Sequence, residues 1–197
     1  LLIPLVKDQS GIMKHHPIWK QLKFVTGNPN KLREAQEILG IKMEQGVADH
    51  LHEIQTNDIN QLVEHKVIEA WREFKCPVLV EDSGLIFTAW NGLPGALVKW
   101  FEKSVGCEGM LKMLESFENR QAEAVCLAAV YDGETMVIGE GRVPGTIARE
   151  IRGSQGFGWD VIFIPDGETR TYAEMSPEEK NAKSHRRQAF ESLKSQL

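Results

Sequence analysis

Cysteine is scarce in this chain, and the few present form no pairing pattern. Its 197 residues include Cys76, Cys107 and Cys126, an odd number, widely spaced and without a CxxC. That usage implies reduced thiols and a cytoplasmic location. No apolar run is long enough to span a bilayer. Positive charge is not in excess. The formal net charge of −5 argues against a nucleic-acid coat or a polybasic membrane surface, while leaving room for a small basic pocket. Repeats, linkers and low-complexity tracts are missing, as are the phosphate loop GxxxxGK[ST] and the dinucleotide fingerprint GxGxxG. What is present is an ordinary globular composition. The length suits one domain, or one domain with a small lobe, and buries enough surface to need no staples.

Residues 1–21, "LLIPLVKDQSGIMKHHPIWKQ", read as an N-terminal extension. Pro4, Lys7 and Asp8 break the apolar pattern that a signal peptide needs. Met13 could be a natural start. His15-His16 could suggest a metal site, but a surface arm explains the pair as well. Residues 22–197 read as the functional domain.

Periodicity gives a coarse organisation. A strand at Leu22–Val25 leads through Thr26-Gly27-Asn28-Pro29-Asn30 into a helix, Lys31–Leu39, stopped by Gly40. Ile41–Ala48 reads as a second strand and Ile59–Phe74 as an amphipathic helix. "PVLVED" is a buried strand, after which Ser83-Gly84 bends the chain, with Leu85–Ala89 extended beyond. Met110–Phe117 reads as a helix. "AEAVCLAAVY" and "TMVIGEGRV", joined by Asp132-Gly133, form a hairpin. "DVIFIP" is another strand. A final helix has Ser176 as N-cap, Pro177 at N1 and Glu179 at N3, and runs through Lys180 and His185 to the end. The order predicts an α/β (mixed α+β) domain built on an elongated twisted sheet.

Four segments carry candidate chemistry. The turn before Lys31 feeds a helix N-terminus, a ready anion site, and the lysine adds a point charge suited to phosphate. An ordinary strand–turn–helix connection has the same pattern. Glu81 and Asp82 end a buried strand, where sheet ligands usually sit, and alternation sends only one of them to such a site. Glu53 precedes a helix; it is either a solvated loop acid or, with Asp82, part of the small carboxylate set Mg²⁺ takes beside phosphate oxygens. In "GSQGFGWD", glycines bracket Phe157, whose ring could face a planar ligand, with Asp160 placed to accept from a ring N–H. Trp159 fits a core position equally well. In "EEKNAKSHRR", Lys180, Ser184 and Arg187 would share one helix face with His185 and Arg186 around it, a cluster that surface solvation explains by default.

Taken together, "TGNPNK", "VEDSGL", "NGLPG", "GFGWD", "YAEM" and "EEKNAKSHR" strongly resemble the inosine triphosphate pyrophosphatase family, in that family's order and spacing, from about Leu22 to the C-terminus. Trp159 stands where many members have tyrosine, and Val161 where many have proline. The resemblance implies an elongated mixed sheet flanked by helices, with two lobes and a central cleft, and usually a homodimer. It implies that Thr26, Gly27, Asn28 and Lys31 cradle a triphosphate, that Lys66 and Lys99 contact phosphate, and that Glu53 and Asp82 hold Mg²⁺. Asp82, with Lys31 and Glu53, would serve the attack of water on the α-phosphorus, and Ser83 would lie beside it. Phe157 would stack on the purine, and Gly158, Trp159, Asp160, Lys180, His185 and Arg186 would surround it. The implied reaction converts deaminated purine nucleoside triphosphates (ITP, dITP, XTP) to monophosphate and pyrophosphate. Two other readings stay open: a silent nucleotide-binding module, and the same chemistry on a modified pyrimidine triphosphate.

Overall fold

The computed structural model describes residues 21–48 and 51–197. The predicted N-terminal extension, with His15-His16, lies outside the described residues except for Gln21. Seven strands form one mixed sheet: β1 (Lys23–Val25), β2 (Glu44–Gly46), β3 (Val78–Phe87), β4 (Pro94–Gly95), β5 (Gln121–Tyr131), β6 (Met136–Ile147) and β7 (Phe163–Pro165). The order is β2-β1-β3-β5-β6-β7, with β4 added to β3. β1 runs parallel to β2 and β3, and the other pairings are antiparallel. Helices α1 (Pro29–Leu39), α2 (Ile59–Phe74), α3 (Val98–Ser104), α4 (Gly106–Met113), α5 (Pro177–Lys183) and α6 (His185–Lys194) flank it. No helix among the described residues is long and apolar enough to cross a membrane.

The long strand β3 places the site. β5 pairs with its whole length along one edge. On the other edge β1 reaches only Val78 and Leu79, and β4 takes only Leu85 and Ile86. The edge between those pairings faces the C-terminal end of β1, and Glu81, Asp82 and Ser83 stand there. The expected bend at Ser83-Gly84 is therefore absent. Both residues continue the ladder, opposite Cys126 and Val125, because antiparallel pairing with β5 outweighs the local turn signal. A Cβ on Gly84 would come 3.0 Å from the Gly95 oxygen, so glycine is there for close approach of β4.

Local signals account for the helices. Asn28 caps α1 by accepting from the Asn30 N–H at 2.9 Å, and Pro29 fills the first turn, so the helix starts two residues before Lys31. Gly40, at φ 70°, closes it. α2 buries Ile59, Leu62, Val63, Val67 and Ala70 against the sheet, the stripe its periodicity predicts. Each such large side chain is worth about 1.5–3 kcal/mol. The hairpin forms as expected, but its turn is longer than Asp132-Gly133: Asp132 accepts from the N–H groups of Glu134 and Thr135.

Four expectations need correction. The strand predicted at Ile41–Ala48 is only Glu44–Gly46, because β2 is a short edge strand with one partner. Asp160 and Val161 belong to a 3-10 turn, Gly158–Val161, rather than to the following strand, since Asp160 folds back to accept from the Phe157 N–H. The single C-terminal helix is two. Ser184 is extended, at φ −72° and ψ 155°, and caps α6 by accepting from the Arg187 N–H. The helix read at Met110–Phe117 is α4, starting earlier, and α3 before it went unpredicted.

The core divides into clusters. One gathers the far half of β3 with α3, α4 and the segment from Trp159 to Met175. Two others pack α1 with α6, and α2, on opposite faces of the remaining sheet, with alternate β5 residues in each. The α6 helix lies directly on β6 because of Gly139 and Gly141: a Cβ there would sit 2.2 Å from the Ala189 oxygen and 2.0 Å from the His185 oxygen.

Candidate active site

A cavity of about 510 Å³ opens between the first cluster and the rest of the sheet. That is an ordinary size for a small-ligand pocket. Its walls include Thr26, Gly27, Asn28, Lys31, Glu53, Lys66, Asp82, Ser83 and Lys99. Phe157, Gly158, Trp159, Asp160, His185 and Arg186 complete the set predicted from sequence, and only Lys180 stands behind the wall.

At one end, the C-terminus of β1 delivers the turn. The Thr26 N–H donates to the Gly46 oxygen, and Thr26 Oγ1 accepts from the Asn28 N–H. Asn28 Oδ1 is committed to capping, so its amide nitrogen is the part left to face the cavity. Lys31 extends from the first turn of α1 to lie 3.1 Å from Glu81 and 3.6 Å from Asp82. Lys66, from α2, lies 2.8 Å from Asp82 and 3.3 Å from Glu53, and Lys99 lies 3.0 Å from Glu53. Glu53 is therefore a cavity acid, not a solvated one.

The ion pairs continue without interruption. Glu81 lies 3.1 Å from Arg186, Arg186 2.5 Å from Glu34, Glu34 3.4 Å from Lys180, and Lys180 2.6 Å from Asp160. From Lys99 to Asp160, cations and carboxylates alternate through ten side chains. Such alternation is what burial demands, since an unpaired charge here would be costly. It also corrects the reading of "EEKNAKSHRR" as a solvated face: Lys180, His185 and Arg186 are 3%, 1% and 2% exposed. The break at Ser184 turns the helix so that these groups face inward.

Protonation follows from the pairing. Burial opposes the charge on Glu81, but Arg186 and Lys31 overcome it and hold the carboxyl well below its usual range. Asp82 is likewise lowered against burial by Lys66 and Lys31, and Glu53 by Lys66 and Lys99. Lys31 and Lys66 are raised, against burial, by those same carboxylates. His185 goes the other way: burial, with Arg186 and Lys180 nearby, pushes it well below the usual imidazole value, so it is neutral at pH 7. Its ring lies against Trp159 and Tyr172, and neither ring nitrogen has a hydrogen-bond partner among the described residues.

At the other end, Gly156 and Gly158 have φ of 72° and 63°, and the chain curls around the Asp160 carboxylate. Lys180 and Arg186 both sit over the Phe157 ring, at 4.7 and 5.4 Å from its centroid. Trp159 is 7% exposed, so it serves the core and touches the cavity at once. The Arg186 guanidinium donates to Glu81 through Nε and Nη2, to Ser83 through Nη2 and to Glu34 through Nη1. One Nη1 N–H remains for a ligand.

Of Glu81 and Asp82 only Asp82 lines the cavity, as alternation predicts; sequence reading missed Glu34 and Glu81 as buried partners of the site's cations, and Glu102 on the wall. Glu34 falls three residues after Lys31 on α1, and Glu102 three after Lys99 on α3. That helical spacing places each on its lysine's face and is a signal that could have found them. Cys126 is fully buried and its thiol donates to Glu81 at 3.2 Å. All three cysteines are free.

The carboxylates fit a divalent metal in one way only. Glu53 and Asp82 converge on Lys66, close enough to share a cation. Among the described residues no three His, Cys, Asp or Glu gather as a metal-holding group. A metal here would need further oxygens from its ligand, as Mg²⁺-type ions usually do beside phosphate.

Comparisons with known proteins agree with this geometry. The chain is 46% identical over 180 residues to an inosine triphosphate pyrophosphatase from Aspergillus fumigatus, covering 90% of this chain and 94% of that protein. It is 43% identical over 177 residues to inosine triphosphate pyrophosphatase 2 of Trypanosoma cruzi, covering 88% and 90%. The solved structure of a HAM1 protein from Coxiella burnetii superposes with a TM-score of 0.77 at 30% identity, covering 88% of this chain and 96% of that one. The Ham1 family model matches residues 22–196, and the chain belongs to the Ham1 family.

Proposed function

We propose that residues 22–197 form a nucleoside triphosphate pyrophosphohydrolase acting on deaminated purine nucleotides (ITP, dITP, XTP) and releasing the monophosphate and pyrophosphate. The observation that carries this reading is the alternating charge chain, which joins a lysine-rich end to a base-sized end across one cavity. The names of the relatives at 43% and 46% identity support the substrate class.

The triphosphate takes the ammonium groups of Lys31, Lys66 and Lys99 from their carboxylates, with the turn at Thr26–Asn28 against its oxygens. Glu53 and Asp82, thus released, would hold Mg²⁺, which would neutralise charge on the phosphate oxygens. Asp82 orients the water that attacks the α-phosphorus. Phe157 stacks on the base, Asp160 and the remaining Arg186 N–H meet its edge, and Lys180, behind the wall, holds Asp160 in place. A 6-oxo purine accepts from the Arg186 donor. Adenine presents an amino group there, and the resulting mispairing supports rejection by up to about 10⁴-fold.

The same reading includes a homodimer, which the family resemblance implies, and a cytoplasmic location with no nucleic-acid or membrane partner, which the three free cysteines and the acidic balance support. The test is pyrophosphate release from a nucleotide panel with Mg²⁺ and then with chelator. Turnover of inosine triphosphate that the chelator abolishes is expected. Binding without turnover would leave a silent module, and preference for a pyrimidine triphosphate would reassign the substrate.

A further inference from the structure

The cavity holds one acid that the reaction above does not use. Glu102, on α3, lines it, and its Oε1 is buried without a hydrogen-bond partner among the described residues. The carboxyl presses on the Gly158 loop: a Cβ on Gly158 would lie 2.7 Å from Oε1. Next to it the Cys107 thiol, at the start of α4, points at the Gly158 oxygen at 3.7 Å. Glu102 thus stands apart from the ten-residue charge chain, with no cation paired to it among the described residues.

Its position can be stated against the two ends. It touches the Gly158 loop on the base side and lies one helical turn from Lys99, which pairs with Glu53 on the phosphate side. A nucleotide runs base, sugar, phosphates. With its base at Phe157–Asp160 and its phosphates at Lys31, the sugar passes between them, where Glu102 faces the cavity. Burial, and after it Asp160, raises the Glu102 pKa above the usual carboxyl value. A carboxyl held toward its neutral form does not repel the neighbouring triphosphate, and it can donate to and accept from a hydroxyl. The buried Oε1 bears an unmet desolvation cost, which a rotation of the carboxyl toward a ligand hydroxyl would remove.

We infer that Glu102 is the ribose-recognition residue of this cleft, hydrogen-bonding a sugar hydroxyl of the bound nucleoside triphosphate. The inference rests on the nucleotide reading above and adds a sugar preference to it.

The experiment measures kcat/KM for inosine triphosphate, its 2′-deoxy form and its 2′,3′-dideoxy form. Wild-type protein is compared with Glu102→Ala and Glu102→Gln. In the wild type, removing the contacted hydroxyl should lower kcat/KM by about tenfold, the scale of one hydrogen bond to such a group. The drop should fall at a single deoxygenation step, mainly in KM. Glu102→Ala should reduce that step to near unity, while Glu102→Gln, which still offers both a donor and an acceptor, should retain most of it. If the alanine variant slows all three nucleotides equally, or keeps the wild-type step, Glu102 does not read the sugar. If wild-type protein turns over none of the three, the nucleotide reading itself fails, which is a different result from a lost step.

Discussion

Gly141→Ala tests how closely the site depends on the seat of α6. Gly141 is on β6, and its Cβ would be placed 2.0 Å from the His185 oxygen and 2.5 Å from the Ala189 nitrogen. Both are backbone atoms, so no side chain can swing aside. A carbon beside a carbonyl oxygen settles at about 3.3 Å or more. The start of α6 must therefore retreat by roughly 1.3 Å, or the strand must bow by the same amount. Overpacking of this kind costs about 1–3 kcal/mol of stability. The larger effect should be on activity, because His185 and Arg186 open α6 and Arg186 is tied at 2.5 Å to Glu34 and 3.1 Å to Glu81. A misplacement of about 1 Å can cost on the order of 10²-fold in rate. We expect kcat/KM for inosine triphosphate to fall by about that factor, in protein that still melts cooperatively. Gly139→Ala is the comparison. Its Cβ would meet the Ala189 oxygen at 2.2 Å and the Leu193 nitrogen at 2.4 Å, farther along the helix. It should lose similar stability and less activity. Steady-state kinetics and urea melts on both variants decide. Gly141→Ala with wild-type kcat/KM and stability would refute the packing argument, and equal activity losses would refute the link to His185 and Arg186.

Further outcomes are expected at individual charges. Asp82→Asn keeps the shape and removes a negative charge, and should lower kcat by about 10²-fold or more with the fold intact; near-native turnover removes Asp82 from the mechanism. Arg186→Ala removes the guanidinium shared by two buried carboxylates, leaving Glu34 only Lys180 and Glu81 only Lys31 as cations, and should cost about 3–5 kcal/mol in urea denaturation. Lys99→Ala, at a partly exposed pair, should cost at most about 1 kcal/mol. The acid limb should depend on Glu81. Its folded pKa is lowered, so its contribution is present above the ordinary carboxyl value near 4.5 and is lost as pH falls through the folded value. Stability between pH 7 and pH 3 should therefore drop less steeply in Glu81→Gln than in wild type, although the variant starts from a lower value. An unchanged slope would mean that other groups carry the acid response.

Features set by neighbours a few residues apart were legible in the sequence. The stripe on α2, the caps at Ser176 and Gly40 and the β5–β6 hairpin are each encoded within one turn or one strand. The residues singled out from the sequence line one cavity, apart from Lys180 behind its wall, while Glu102 on that wall went unread. Tertiary structure decided which charges meet. Arg186 finds Glu34 across 152 positions and Glu81 across 105, separations that no local period records. It also decided that Ser83-Gly84 continues a strand, because β5 offers a full ladder, and that the last helix breaks at Ser184 to face its charges inward. Glu102 shows the same division. Helical spacing puts it on the face of Lys99, but only the packed α3 and Gly158 loop leave its carboxyl in the cavity without a partner. Burial makes an ion's surroundings matter more than its position in the chain, and burial is a property of the assembled fold.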